Sequence, residues 1–275
     1  MRIIFSGGGT AGHIYPALAM AALVKEKYKD AAIAFVGTPS GMENSLVGAA
    51  GYPIFHTDVR GLSRSLSPKN LQALYLALHA RGTAKSILAS FRPDAVIGTG
   101  GYVCYPILRE ASKCGIPCAI HESNAQPGLS ARLLAPHMDA IWLNFAEGER
   151  RLPRGCVRPV HTGNPLRAGF HTYQKAEARA ALKIAEREIY LLSFGGSLGA
   201  DAINRAIFRL YERMHLRYPR LRLLHVCGRR YFAEWQARFA PFAPRATLLP
   251  YLEQMPLHMA AADSRFRNGM QTWNL

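Results

Sequence analysis

Arg2-Ile3-Ile4-Phe5-Ser6-Gly7-Gly8-Gly9-Thr10-Ala11-Gly12-His13-Ile14-Tyr15-Pro16 opens the chain, and its reading decides the fold class. The apolar run Ile3 to Phe5 reads as a short buried strand that stops at a glycine cluster. Gly7, Gly8, Gly9 and Gly12 allow a sharp turn and a close approach of backbone to a ligand. Pro16 suits the first turn of a helix, expected over 16–27. The free N–H groups of that helix start would point at the turn and favour an anion. His13 is expected in the turn itself, as a group that moves protons near neutral pH.

Outward from this stretch, strand and helix patterns alternate. Strands are expected at 31–36, 53–57, 95–97 and 117–121, and helices at 40–50, 71–90 and 106–114. Such alternation specifies an α/β fold, a parallel sheet with helices on both faces. Pro153, Gly155 and Pro159 interrupt the rhythm, which places a junction between a first domain, 1–164, and a second, 165–275. The second domain restarts with a helix at 177–182 and a strand at 188–194. The glycine turn Gly195-Gly196-Ser197-Leu198-Gly199-Ala200 follows, then a helix at 203–214 and strands at 222–227 and 247–249. The stretch 264–275 fits neither period, so the second domain is expected to be incomplete, truncated after about 263.

Bulk properties narrow the function classes. The 275 residues are 49% apolar, enough for a substantial core. Lys and Arg number 34 against 18 Asp and Glu, a net charge of +16 that favours acidic partners. The basic residues are scattered rather than in runs, and there is no aromatic-basic platform, so nucleic acid is not expected as a partner. Five cysteines, an odd number without paired C-x-x-C spacing, read as reduced thiols of a cytosolic protein. No stretch reaches the ~18 apolar residues of a membrane span, and the start reads as a strand rather than a signal peptide. Contact with an anionic membrane surface fits the stretch 71–88, where Leu71, Leu74 and Leu78 precede Arg81 and Lys85. The same leucines fit a core equally well.

Gly7, Gly9 and Gly12 match G-x-G-x-x-G, but the next strand ends Phe35-Val36-Gly37-Thr38, without the acid that would hold a dinucleotide ribose. A tight turn without a ligand is the plain alternative. Gly98 to Tyr102 and Glu122 to Asn124 each follow a strand, and ligands of open parallel sheets sit at such carboxyl ends. Asn124 offers an amide there, or serves as a turn residue before Pro127-Gly128. Ser197 adds a hydroxyl to a turn whose N–H groups suit a diphosphate. Neither the Lys of a Walker loop nor a G-x-S-x-G elbow accompanies it. Arg167, just past the junction, reads as a phosphate contact or as a solvated surface residue. No metal signature appears, so neither metal nor cofactor is expected. A leaving diphosphate would then be stabilised by helix ends and basic side chains.

Five motifs in order resemble the MurG-type transferases of peptidoglycan synthesis. They are Gly8 to Ala17, Gly98 to Tyr102, His121-Glu122-Ser123-Asn124, Gly163-Asn164-Pro165-Leu166-Arg167 and Gly195 to Ala200. The resemblance covers about residues 1–263. It implies two Rossmann-like domains facing a cleft, the GT-B type. It also implies an inverting hexosyltransferase that moves N-acetylglucosamine from UDP-N-acetylglucosamine to undecaprenyl-diphospho-muramoyl-pentapeptide, lipid I to lipid II. The implied location is peripheral, at the cytoplasmic face of the inner membrane, with roles in cell wall biogenesis, cell shape and cell division. By position, Thr10, Ala11 and Gly12 would contact the donor sugar and phosphates. Asn124, Arg167, Ser197 and Leu252 would be further substrate contacts, and His13 the catalytic base. Ala11 stands where the family usually has Gly, and Leu198 where many members have Gln. The departure at 264–275 raises an alternative: an inactive or binding-only remnant that keeps the lipid-acceptor domain.

Overall fold

A run such as Ile3-Ile4-Phe5 is apolar at every position because a parallel strand is covered on both faces. The structure, a computed structural model, describes residues 1–59, 69–170, 172–196 and 199–267, with side chains omitted at 69–79, 168, 266 and 267. Two compact units divide between Arg167 and Ala168.

In the first unit the chain runs β1 (Arg2–Gly7), α1 (Ala11–Lys27), β2 (Ala32–Gly37), α2 (Glu43–Ala49), β3 (Ile54–His56), α3 (Lys69–Phe91) and β4 (Ala95–Gly100). It continues through α4 (Cys104–Lys113), β5 (Cys118–Glu122), α5 (Leu129–Leu134), β6 (Ala140–Leu143) and β7 (Val160–His161). The sheet is parallel at every pairing, in the order β3-β2-β1-β4-β5-β6-β7. Strand order reverses between β1 and β4, so a crevice opens at their carboxyl ends, where open α/β sheets bind ligands. The two faces of β1 bury into different layers. Ile3 and Phe5 pack with Ile14 and Ala17 of α1, while Ile4 packs with Ile107 and Leu108 of α4. Each such side chain contributes about 1.5–3 kcal/mol on full burial.

The second unit comprises α6 (Lys175–Ala181), β8 (Ile189–Phe194), α7 (Asp201–Met214), β9 (Leu221–Val226), α8 (Phe232–Phe239), β10 (Ala246–Leu249), α9 (Met255–Ala261) and β11 (Ser264–Arg267). Its strands are parallel in the order β10-β9-β8-β11. Tyr190 and Leu192 face one layer with Met259, and Leu191 faces the other with Ile207 and Trp235.

Two sequence expectations change, and two observations add to them. The stretch after 263 was expected to lack structure of either period, yet Ser264–Arg267 forms β11, pairing Ser264 to Leu191 through Arg267 to Phe194. A four-residue edge strand with Arg at two positions has no apolar run to betray it, and edge strands tolerate charge. Its place beside β8 gives the second sheet a strand reversal of its own. The first helix begins at Ala11, not Pro16. Thr10 caps it in an extended conformation (φ −143°, ψ 151°), and its carbonyl accepts from the N–H groups of His13 and Ile14. His13 therefore rides on the first helical turn, and Pro16 sits inside the helix, where it costs one link near the start. The strand β6 was passed over. Only four residues long, it is identified by its register with β5, from Ala119–Ala140 to Glu122–Leu143. Arg81 and Lys85, assigned to a lipid-facing stretch, both lean on Glu110 of α4, a carboxylate 1% exposed, at 2.9 Å and 4.0 Å. Ile87 and Leu88 are core, and the side chains of Leu71, Leu74 and Leu78 lie outside the described residues.

Candidate active site

The turn after β1 is held open by what its neighbours lack. Gly101 adopts φ +81°, and a Cβ there would lie 2.5 Å from the Gly8 carbonyl oxygen. Gly100, at φ +112°, lies under the imidazole of His13, and a Cβ would come within 2.9 Å of Nε2. The ends of β1 and β4 thus approach backbone to backbone, as the glycines of both motifs require. Thr99 fills the space between them. A register shift leaves it between the Ser6–Gly98 and Gly7–Gly100 pairs, and its hydroxyl donates to the His13 carbonyl at 2.6 Å.

His13 Nδ1 stands 3.0 Å from the Gly8 carbonyl oxygen and 3.2 Å from Thr10 Oγ1. A carbonyl only accepts, so the neutral ring carries its hydrogen on Nδ1 and keeps its lone pair on Nε2. This assignment comes from the hydrogen-bond network. It leaves Nε2 as a proton acceptor over Gly100, on the first turn of α1.

Glu43, 1% exposed, lies beneath the turn. Its Oε1 accepts from the Thr38 N–H at 2.8 Å and the Thr38 hydroxyl at 2.7 Å, and its Oε2 accepts from the Gly9 N–H at 3.3 Å. Burial works to raise this carboxyl, but the donors from Thr38 and Gly9 outweigh it, and the net shift is downward. Nothing in the sequence reading pointed to Glu43. The available signal was one acid in a short apolar helix with Gly37 and Gly41 close before it. Cys104 donates to the Gly101 carbonyl at 2.9 Å, and burial pushes its thiol up to about 12, which excludes a thiolate nucleophile there.

At the end of β5, Glu122 binds the loop that carries Asn124. The backbone N–H and side-chain amide of Asn124 donate to Oε1 at 2.9 and 2.8 Å, and the Gly128 N–H donates to Oε2 at 2.9 Å. Asn124 thus has its amide nitrogen anchored. His121 donates Nε2–H to the Gly163 carbonyl at 3.0 Å, and burial lowers its affinity for a second proton, so its role is structural. Ser123 donates to Asn164 Oδ1 at 3.1 Å, tying the two motifs together.

Thr10, Ala11, Gly12 and His13 therefore share one turn. Ala11 is helical, so its methyl group meets no positive-φ strain where the family usually has Gly. Arg167 belongs with the first unit, its guanidinium 4.4 Å from the ring centroid of Tyr15 on α1. That contact draws it to the helix bearing His13. In the second unit, Leu252 is 8% exposed and packs in the core, so contact with a ligand would fall to its backbone. Ser197 and Leu198 lie outside the described residues. Among the described residues no three His, Cys, Asp or Glu side chains converge as metal ligands would.

Residues 3–142 match the glycosyltransferase family 28 N-terminal domain, and residues 190–264 match its C-terminal domain. The UDP-N-acetylglucosamine–N-acetylmuramyl-(pentapeptide) pyrophosphoryl-undecaprenol N-acetylglucosamine transferase of Carboxydothermus hydrogenoformans is 37% identical over 96% of this chain and 71% of its own length. The transferase of the same name from Alkaliphilus oremlandii is 39% identical over 96% of this chain and 72% of its own. Among solved structures, Acinetobacter baumannii MurG superposes with a TM-score of 0.68 at 27% identity, over 97% of this chain and 72% of that one. A UDP-GlcNAc 2-epimerase from Neisseria meningitidis, at 13% identity and a TM-score of 0.64, covers 98% of this chain and 78% of its own, and shares the fold alone. With two glycosyltransferase domains in order, parallel sheets in both, and that identity along nearly its whole length, the chain belongs to the MurG family of N-acetylglucosamine transferases.

Proposed function

We propose that this chain transfers N-acetylglucosamine from UDP-N-acetylglucosamine to undecaprenyl-diphospho-muramoyl-pentapeptide, converting lipid I to lipid II in peptidoglycan synthesis. The observation that carries the reading is His13, presented on the first turn of α1 with Nδ1 tied to the Gly8 carbonyl and Nε2 left as the acceptor. In the proposed step Nε2 takes the proton of the attacking muramoyl hydroxyl. The hydroxyl oxygen bonds to the anomeric carbon, the bond from that carbon to the UDP oxygen breaks, and the electron pair leaves on the diphosphate, inverting the centre. Thr10, Ala11 and Gly12 contact the donor sugar and phosphates. Asn124, Arg167, Ser197 and Leu252 complete the substrate contacts.

The enzyme works peripherally, on the cytoplasmic face of the inner membrane, and so serves cell wall biogenesis, cell shape and division. Supporting this location, the net charge is +16, and no described helix is long and apolar enough to cross a membrane. Leu129 and Leu133, 59% and 49% exposed, stand one turn apart on α5 beside Arg132. Purified chain incubated with labelled UDP-N-acetylglucosamine and lipid I tests the reaction. Label in lipid II supports it, and absence of transfer at any acceptor concentration defeats it. Sedimentation with anionic vesicles at low salt tests the location.

A further inference from the structure

We propose that Glu43 is a positioning residue for His13, acting through the single peptide unit that joins Gly8 to Gly9. The inference rests on His13 being the base. A trans peptide is planar, with its C=O and N–H pointing in opposite directions. Glu43 Oε2 takes the N–H of this unit at 3.3 Å, and the C=O of the same unit faces His13 Nδ1 at 3.0 Å. The carboxylate holds one end of the plane, so the other end is aimed at the imidazole. A negative charge at the N–H end also polarises the amide and makes its carbonyl a stronger acceptor. The ring is thereby kept as the Nδ1–H tautomer, with the lone pair at Nε2. This is the task an orienting carboxylate performs by direct contact in other acid–base sites, here relayed through backbone.

The surroundings of Glu43 are built for this placement. A Cβ at Gly8 would stand 2.7 Å from Oε1, and one at Gly37 2.5 Å from Cγ. A Cβ at Gly41 would meet the same carboxyl group. The side chain thus occupies room left by three glycines from two different turns. The other buried acids act elsewhere: Glu110 pairs with Arg81 and Lys113, and Glu122 binds Asn124 and Gly128. The donors from Thr38 fix Oε1, which leaves Oε2 for the turn.

The test uses the full chain labelled with nitrogen-15 in its histidine rings, with the His13 signals identified by their loss in His13→Gln. In the unsubstituted protein the neutral ring is expected as Nδ1–H alone. In Glu43→Gln a single amide oxygen cannot serve both Thr38 and Gly9. The ring should then divide between tautomers, and kcat should fall roughly tenfold to a hundredfold while KM for UDP-N-acetylglucosamine stays within about twofold. Thr38→Val, which leaves the Oε2 contact in place, should keep the Nδ1–H tautomer. An Nε2–H ring in the unsubstituted protein overturns the proposal, even if Glu43→Gln does not fold. So does Glu43→Gln with an unchanged tautomer and unchanged kcat. A chain with no transferase activity would instead defeat the proposed reaction, because the tautomer is read without turnover.

Discussion

Two strand–turn–helix units, one per domain, look alike in sequence and rest on opposite kinds of polar support. Beneath the β1–α1 turn lies Glu43, a carboxylate whose pKa is held below its usual range by donors from Thr38 and Gly9. Beneath the β8–α7 turn lies His225, an imidazole whose Nε2 meets Asn204 Oδ1 at 3.0 Å. Asn204 in turn donates to the Cys227 carbonyl at 3.2 Å. Desolvation holds His225 down at about 4, so that support is neutral. The first turn is anchored by a charge that reaches its amide, and the second by a neutral pair that braces the start of the following helix. The same local fold thus presents His13, the proposed base, in the first unit.

The comparison breaks most sharply at the reacting group. His13→Gln should reduce transfer by roughly 10²–10⁴-fold while the thermal midpoint stays nearly fixed, because the side chain is only half-buried. Activity and melting curves on the same preparation check both halves. Gly101→Val should cost about 2–5 kcal/mol, combining positive-φ strain with a branched side chain driven at the Gly8 carbonyl. Gly196→Ala in the second turn should cost only about 1–2 kcal/mol, since its φ of +87° is strained but no atom of the described residues beyond its chain neighbours lies within 4 Å. Denaturant midpoints of the two variants check both figures. Asn204→Leu should cost about 1–3 kcal/mol by leaving His225 Nε2 without its partner.

A further effect is in pH. His225 binds its proton at about 4 when folded and near 6.5 when unfolded, so the unfolded chain holds more protons between those values. The stability attached to this group is complete above 6.5 and is lost as pH falls toward 4. Urea titrations across that window should show the decline, and His225→Leu should flatten it.

Much of the first domain was legible because its signals are local. Buried parallel strands read as unbroken apolar runs, and glycine clusters mark where those runs must turn. The start of α1 was misplaced because Pro16 is a strong marker, whereas Thr10 caps through backbone conformation, with no side-chain bond to announce it. β6 and β11 are short, and each is recognisable as a strand only by the partner it registers with. The part of the site least visible in sequence was Glu43. Its role depends on three glycines, Gly8, Gly37 and Gly41, clearing space from separate turns, and no spacing rule encodes that juxtaposition. His13, Thr10 and Gly12 were expected together because one short segment carries them all, and they do share one turn.

The wedge of Thr99 between β1 and β4 has a kinetic consequence. Its hydroxyl contacts the carbonyls of Ser6 and His13, and Thr99 and Ser6 are 93 residues apart in the chain. Loop closure over that distance is entropically costly and grows only slowly with length. Contacts of such high order set the pace of folding in parallel folds. β1 and α1 are made well before β4, yet the turn between them has no reason to take its final shape until β4 has docked. His13, the proposed base, therefore waits for its setting on Thr99, 86 residues further along the chain.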